Sequence, residues 1–350
     1  MMQVLFMVII VLLYGFSLYI TRKERRSFRS WFFERLLIIR IEKRIFVASE
    51  HPEEFLAEHV LADAKPYEFP IALKLIGKVE RITVRGMDCV VLSSPNPSAK
   101  RILYLHGGSY VEQPRLAHWL FLDQLVKDTH AVVYVPIYPK APVHQFQESY
   151  DKVLELYNLL LKDSKPQDMV FMGDSAGGGL ALGLSQYLLS RRIPQPSRNI
   201  LLSPWLDITM ENPGISNLER KDPMLLKNHL VVMGKAWAGD LDPHDYRVSP
   251  INGPLKGLAP ITLYVGTHEL FLADARKLRI RALAQGVTFD YHEFPKMNHV
   301  FPVFPIPEAR KVRRQIDWLI GGRPETSFER KVRKIRSRLE KRLKRLSIQD

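Results

Sequence analysis

Met169-Val170-Phe171-Met172-Gly173-Asp174-Ser175-Ala176-Gly177-Gly178-Gly179 is a short apolar run, a Gly-Asp-Ser-Ala-Gly turn, and the small-residue start of an apolar helical stretch. A strand that turns this sharply into a helix strains the residue at its apex, so the positions two before and two after it must be small. Gly173 and Gly177 meet that demand. Ser175 is therefore predicted to stand at the carboxyl end of a strand, its hydroxyl exposed and the positive end of a helix beneath it. A glycine-rich strand-to-helix loop without chemistry would carry the same residues, so the weight falls on what surrounds the turn.

Upstream, Arg101-Ile102-Leu103-Tyr104-Leu105 reads as a buried strand that runs into His106-Gly107-Gly108-Ser109-Tyr110. Adjacent glycines just past a strand either make a plain turn or point main-chain N–H groups into a cleft, as an oxyanion hole requires. On the second alternative Gly107 and Gly108, with Ala176 after the serine, are the donors. Downstream, Phe289-Asp290-Tyr291-His292-Glu293-Phe294 alternates like a last strand and leads to Met297-Asn298-His299. A base at His299 and a nucleophile at Ser175 put the acid between them, on the loop after another strand. Ile261-Thr262-Leu263-Tyr264-Val265-Gly266-Thr267-His268-Glu269 is that strand and loop. Glu269 lies three residues past Gly266 and is the preferred acid, with Asp274 a competitor that is expected to cap the next helix. His268 is expected at the surface, His106 as a brace of the glycine loop, Asp174 as a support beside the serine, and Asp207 as a brace of the segment after Ser203.

With these residues the chain resembles the hormone-sensitive-lipase-like branch of the α/β-hydrolase esterases (the α/β-hydrolase fold-3 family) over roughly residues 82–320. The resemblance rests on His-Gly-Gly at 106–108, Gly-Asp-Ser-Ala-Gly at 173–177, Ser203-Pro204-Trp205-Leu206-Asp207 and Met297-Asn298-His299. It also includes Tyr138-Pro139-Lys140-Ala141-Pro142, which is similar to the family's Tyr-Arg-Leu-Ala-Pro segment. It implies an α/β-hydrolase fold with a helical cap, in which Ser175 attacks, His299 takes its proton and Glu269 orients the imidazole. Two departures stand out. Glu269-Leu270-Phe271-Leu272-Ala273-Asp274 replaces the family's Asp-Pro-Leu-x-Asp, and Ser109 stands where a third glycine is common. The expected activity is hydrolysis of short- to medium-chain lipophilic carboxylic esters by a Ser-His-acid triad. An amidase or peptidase would use the same triad, and a binding protein on the same fold would have lost one of its members. No organic cofactor or metal is expected, since neither an HExxH nor a CxxC pair occurs.

Strand-like runs at 81–85, 89–92, 101–105, 131–138, 168–172, 199–203, 261–266 and 289–294 alternate with helical patterns at 116–128, 150–161, 180–190, 274–284 and 308–319. That rhythm predicts one α/β domain with an eight-stranded, mostly parallel sheet covered on both faces. It breaks between Ser203 and Ala259, where Pro213, Pro223, Pro243, Pro250 and Pro254 surround one helical stretch. The expected organisation is therefore a catalytic domain over 76–322 with a cap insertion at about 204–259. Cys89, the only cysteine, excludes an intrachain disulfide and reads as a core thiol.

The chain's formal charge of +14 is peripheral: residues 21–50 carry +5 and 328–350 carry +7, leaving +2 between them. Residues 1–20 hold no charge, and about twenty helical residues span about 30 Å of hydrocarbon, so they are expected to form a transmembrane anchor rather than a cleaved signal. Arg22-Lys23-Glu24-Arg25-Arg26 follows at once, which by the positive-inside rule places the catalytic domain in the cytoplasm. Residues 21–75 are expected to be a basic juxtamembrane and cap segment. Residues 323–350 are expected to form a basic amphipathic helix, with an anionic lipid surface preferred to nucleic acid or a partner helix. A small-molecule ester and a membrane are thus the expected partners, with oligomeric state open.

Overall fold

The structure, a computed structural model, describes residues 2–38, 52–63, 66–70, 73 and 75–321. The expected basic helix at 323–350, and the part of the juxtamembrane segment at 39–51, lie outside these residues.

Among the described residues, eight strands form one sheet: β1 (Lys78–Val84), β2 (Met87–Ser93), β3 (Arg101–Leu105), β4 (Val132–Pro136), β5 (Met169–Asp174), β6 (Arg198–Leu202), β7 (Ile261–His268) and β8 (Phe289–Asn298). Their order across the sheet is β1-β2-β4-β3-β5-β6-β7-β8. Only the β1–β2 and β2–β4 pairs are antiparallel; β4, β3, β5, β6, β7 and β8 run parallel. A parallel sheet must be covered on both sides, and period-two alternation sends successive side chains to opposite cores. Ile102, Tyr104, Val133, Val135, Val170, Met172, Ile200 and Leu202 face one core. Leu103, Leu105, Phe171, Leu201, Leu263 and Val265 face the other. Each buried aliphatic side chain contributes roughly 1.5–3 kcal/mol of transfer free energy, so a one-residue register slip would be prohibitive.

The helices are α1 (Met2–Glu24), α2 (28–38), α3 (Pro52–Asp63), α4 (Leu116–Thr129), α5 (Phe146–Asp163), α6 (Ser175–Ser190), α7 (Ser216–Glu219), α8 (Lys227–Ala238), α9 (Leu272–Ala284) and α10 (Pro307–Gly321). The core containing Leu103 is closed by α5, α6 and α9, and the core containing Ile102 by α4 and α10. The segment between β6 and β7 supplies α7 and α8. From the amino-terminal side α3 packs on α8, with the Phe55 and His229 rings 6.4 Å apart. Cys89 lies fully buried on β2, where desolvation pushes its thiol up to about 12. A neutral thiol at that position packs as a small hydrophobe.

The amino-terminal expectation needs correction. Residues 2–24 are helical, but among the described residues no helix is long and apolar enough to cross a membrane. The transmembrane span over 1–20, and the inward orientation argued from it, therefore have no support in the structure. Instead the carboxyl end of α1 docks: Ile20 is buried, and Glu24 pairs with Lys296 Nζ at 3.0 Å.

Candidate active site

The site is built where β5 ends. Ser175 is the first residue of α6 and has φ +53°, a left-handed conformation costly to a residue with a Cβ. The flanking glycines are required by contact rather than by freedom: a Cβ on Gly173 would overlap Gly177 O, and one on Gly177 would overlap Leu105 O. The turn thus carries its strain on the serine and its smallness on the neighbours. The first four N–H groups of α6 lack intrahelical acceptors.

Histidine reaches this point from the far edge of the sheet. β8 continues four residues beyond the expected strand, to Asn298, so His299 leaves the sheet at its carboxyl edge. His299 Nε2 is 2.9 Å from Ser175 Oγ, and His299 Nδ1 is 2.9 Å from Glu269 Oε2. The neutral tautomer that fits has Nδ1–H donating to Glu269 while Nε2 accepts the serine hydroxyl. Glu269 is fully buried, and its Oε1 accepts from Ser203 Oγ at 2.8 Å and from Gly266 N–H at 2.5 Å. Ser203 Oγ in turn accepts Val300 N–H at 3.1 Å, so one hydroxyl ties the acid to the loop of the base. Phe271 covers His299 edge-on, with ring centroids 5.0 Å apart.

Asp274 does not reach His299. It sits in the first turn of α9 without capping it, since the N-cap is Phe271, and its Oδ1 instead accepts Asn212 Nδ2 at 2.8 Å. Asp274 Oδ2 is buried with no partner among the described residues, and desolvation, with Asn212 opposing, pushes the carboxyl up to about 6 from 3.8. Between those values the folded chain holds a proton that the unfolded chain has released, so stability falls as pH rises through the window. Asp274→Asn removes that titration. The variant's stability relative to wild type is expected to rise from pH 4 to pH 7 by on the order of 3 kcal/mol, measured by urea denaturation across the range. A difference that stays flat with pH would rule out a buried ionisation at Asp274.

The glycine loop shows a second correction. Gly107 N–H donates to Asp174 Oδ1 at 2.9 Å, so it is committed and not a donor to substrate. Asp174 Oδ1 also accepts Tyr104 OH at 2.6 Å, and Asp174 Oδ2 accepts His118 Nε2 at 3.2 Å. Burial alone would raise the Asp174 carboxyl, but His118, Tyr104 and Gly107 N–H together hold it below its ordinary value. The carboxylate thereby pins the loop from β3 to the nucleophile turn. Among the described residues, the N–H groups of Gly108 and Ser109 take no partner, and both residues have positive φ, +125° and +55°. His106 is fully buried, stacks on Tyr138 at 4.4 Å, and is pushed down to about 3 by desolvation. It is neutral and braces the loop. Asp207 Oδ1 accepts Thr209 N–H at 3.0 Å and Ser249 Oγ at 3.3 Å, which ties together two parts of the insertion.

His268 is not a free surface residue. Its Nδ1 is 2.9 Å from Glu34 Oε1 on α2, and the other Glu34 oxygen accepts Arg26 Nη2. Arg26 Nη1 donates to Lys296 O at 2.6 Å, and Lys296 N–H donates to Thr267 Oγ1 at 2.6 Å. Arg26 and Glu34 are both buried, so the amino-terminal helices grip the ends of β7 and β8, the strands that lead to Glu269 and His299. Contacts of this kind have no local sequence signal. Ser203 lay within a quoted motif without a role, and nothing near Tyr104, His118, Arg26 or Glu34 marks them. Among the described residues no cluster of His, Cys, Asp and Glu could hold a metal ion.

A serine, an imidazole and a buried carboxylate in series at the carboxyl edge of a parallel sheet define a class, and the comparisons agree with it. A family model for the alpha/beta hydrolase fold matches residues 102–303. An esterase of Acinetobacter venetianus is 30% identical over 243 residues, covering 68% of this chain and 80% of that protein. A triacylglycerol lipase of Mycobacterium tuberculosis is 31% identical over 234 residues; the match covers 66% of this chain but only 48% of the lipase. The crystal structure of a hormone-sensitive lipase from a metagenome library superposes with a TM-score of 0.72 at 27% identity, covering 84% of this chain and 98% of that one. The chain belongs to the α/β-hydrolase fold family, within its hormone-sensitive-lipase-like branch. Its enzyme class is carboxylic ester hydrolase.

Proposed function

We propose that Ser175, His299 and Glu269 are the catalytic triad of an esterase for short- to medium-chain lipophilic esters. The observation that carries this is the unbroken series from Ser175 Oγ to His299 Nε2 and from His299 Nδ1 to Glu269 Oε2, each step 2.9 Å. His299 takes the hydroxyl proton as Ser175 Oγ bonds to the ester carbonyl carbon. The oxyanion accepts the N–H groups of Gly108, Ser109 and Ala176, with Gly107 instead holding the loop through Asp174. His299 then returns its proton to the departing alcohol, and water repeats the sequence to free the acid. Ser109 adopts its positive φ without being glycine, so its N–H is held in place at a conformational cost. A panel of p-nitrophenyl esters of increasing chain length beside an anilide tests the substrate. Turnover of charged, soluble esters alone would remove the lipophilic part of the proposal, and equal turnover of the anilide would favour an amidase.

The same proposal places α1 against an anionic lipid surface. Phe6, Met7, Val11, Leu12, Leu13 and Tyr14 are exposed on it, and Arg22, Lys23, Arg25 and Arg29 are exposed at its end. Basic residues near such a surface contribute on the order of 1 kcal/mol each before screening. The protein is expected to float with phosphatidylserine vesicles, and deletion of residues 1–20 to reduce that flotation strongly. Equal recovery with and without these residues would remove the membrane contact.

A further inference from the structure

Asp222 is a titratable group that the triad leaves unused. It lies in the insertion, and its Oδ1 accepts the N–H groups of Met224 at 2.8 Å and Leu225 at 3.0 Å. Its Oδ2 crosses to the other side of the site and accepts Leu270 N–H at 2.9 Å, the residue after Glu269. Met224, fixed by this turn, accepts Asn298 Nδ2 on its sulfur at 3.3 Å, and Asn298 precedes His299. One carboxylate therefore holds the insertion to both loops of the site. The charged groups that act on it are His299, after β8, and Glu269, after β7. Around Asp222 the insertion supplies main-chain N–H donors, the partners that suit a carboxylate kept ionised.

We propose that Asp222 is a positioning residue of the esterase whose negative charge favours the imidazolium formed on His299 during turnover. This rests on the triad proposed above. Glu269 contacts the ring directly and fixes its tautomer. Asp222 acts through space and through the Leu270 and Met224 main chain. Charge coupling is reciprocal: if protonated His299 favours the Asp222 carboxylate, the carboxylate equally favours protonated His299. Desolvation opposes this, pushing the Asp222 carboxyl up to about 6 despite His299, Met224 and Leu270. The group thus loses its charge at mildly acid pH, and with it the assistance to His299.

The test is the pH profile of p-nitrophenyl ester hydrolysis by the full chain. Loss of a nearby negative charge makes the base easier to deprotonate, so Asp222→Asn is expected to move the ascending limb of kcat/KM to lower pH by roughly one unit. It should also lower the plateau of kcat by about tenfold with KM little changed. Asp222→Glu, which keeps the charge, should leave the limb where it is in wild type. A limb that stays in place in Asp222→Asn while the melting temperature falls would make Asp222 a structural tie only and overturn the proposal. Should that variant not fold, the wild-type profile decides: protonation of Asp222 makes His299 harder to protonate, so the limb below about pH 6 is expected to be broader and less steep than a single protonation gives, and a limb that follows one protonation throughout overturns the proposal. Activity surviving in Ser175→Ala would instead overturn the triad, an outcome distinct from either.

Discussion

Ser175→Ala is expected to lower kcat for p-nitrophenyl esters by roughly four to six orders of magnitude while leaving the fold and substrate binding intact. The size of the effect follows from what the hydroxyl alone supplies. Without it no acyl-enzyme forms, and His299 and the oxyanion donors can only assist direct attack by water. Stability should change little or improve, because the substitution leaves Gly173, Gly177 and the helix unchanged and removes a polar group from a residue only 6% exposed. The left-handed backbone at φ +53° persists in both forms, held by the surrounding strand and helix. A variant with more than a tenth of the wild-type rate would move the nucleophile elsewhere. Loss of the circular-dichroism spectrum along with activity would mean that folding had been measured instead.

Much of this site was legible because its chemistry is local. The glycines at 173 and 177, the glycine pair after β3, and a histidine after the last strand each satisfy a steric or electronic demand within a few residues of where it arises. The alternation of apolar residues likewise marked the eight strands, though it stopped short at β8, whose last four residues, Pro295 to Asn298, include a proline and a lysine rather than an apolar alternation. What the sequence could not show is long-range. Gly107 looked like an oxyanion donor because a Gly-Gly pair carries no sign of which N–H is already bonded, and its acceptor, Asp174, is 67 residues away. Asp274 looked like a helix cap from its position, whereas its partner Asn212 is on the insertion, 62 residues away. His268 looked exposed because Glu34 lies 234 residues earlier. Residues 1–20 read as a membrane span from hydropathy alone, which records neither the burial of Ile20 nor the ion pair that seats the end of α1 at Lys296.

Glu269→Gln is the second large effect, expected to cost about two to four orders of magnitude in kcat where Asp274→Asn costs less than threefold. The direction follows from the donors around the carboxylate. Gly266 N–H can only donate, and it bonds the oxygen that also receives Ser203 Oγ. In the variant the amide oxygen must occupy that position, since an amide nitrogen there would face a donor with a donor. The amide NH2 group is thereby turned toward His299 Nδ1 at the 2.9 Å contact. Nδ1 then has to accept, so the proton of the neutral ring moves to Nε2, the atom that must accept from Ser175. The side chain keeps its volume and two of its three hydrogen-bond partners, Ser203 and Gly266, so the loss is one of tautomer and charge rather than of packing. Asp274 offers no such route, because its hydrogen bond is to Asn212 and not to His299 or Ser175. Assay of both variants at pH 8, where His299→Ala gives the floor, checks the order. If Asp274→Asn is the slower of the two, the acid is Asp274 and the 2.9 Å contact between Glu269 and His299 is not the catalytic one.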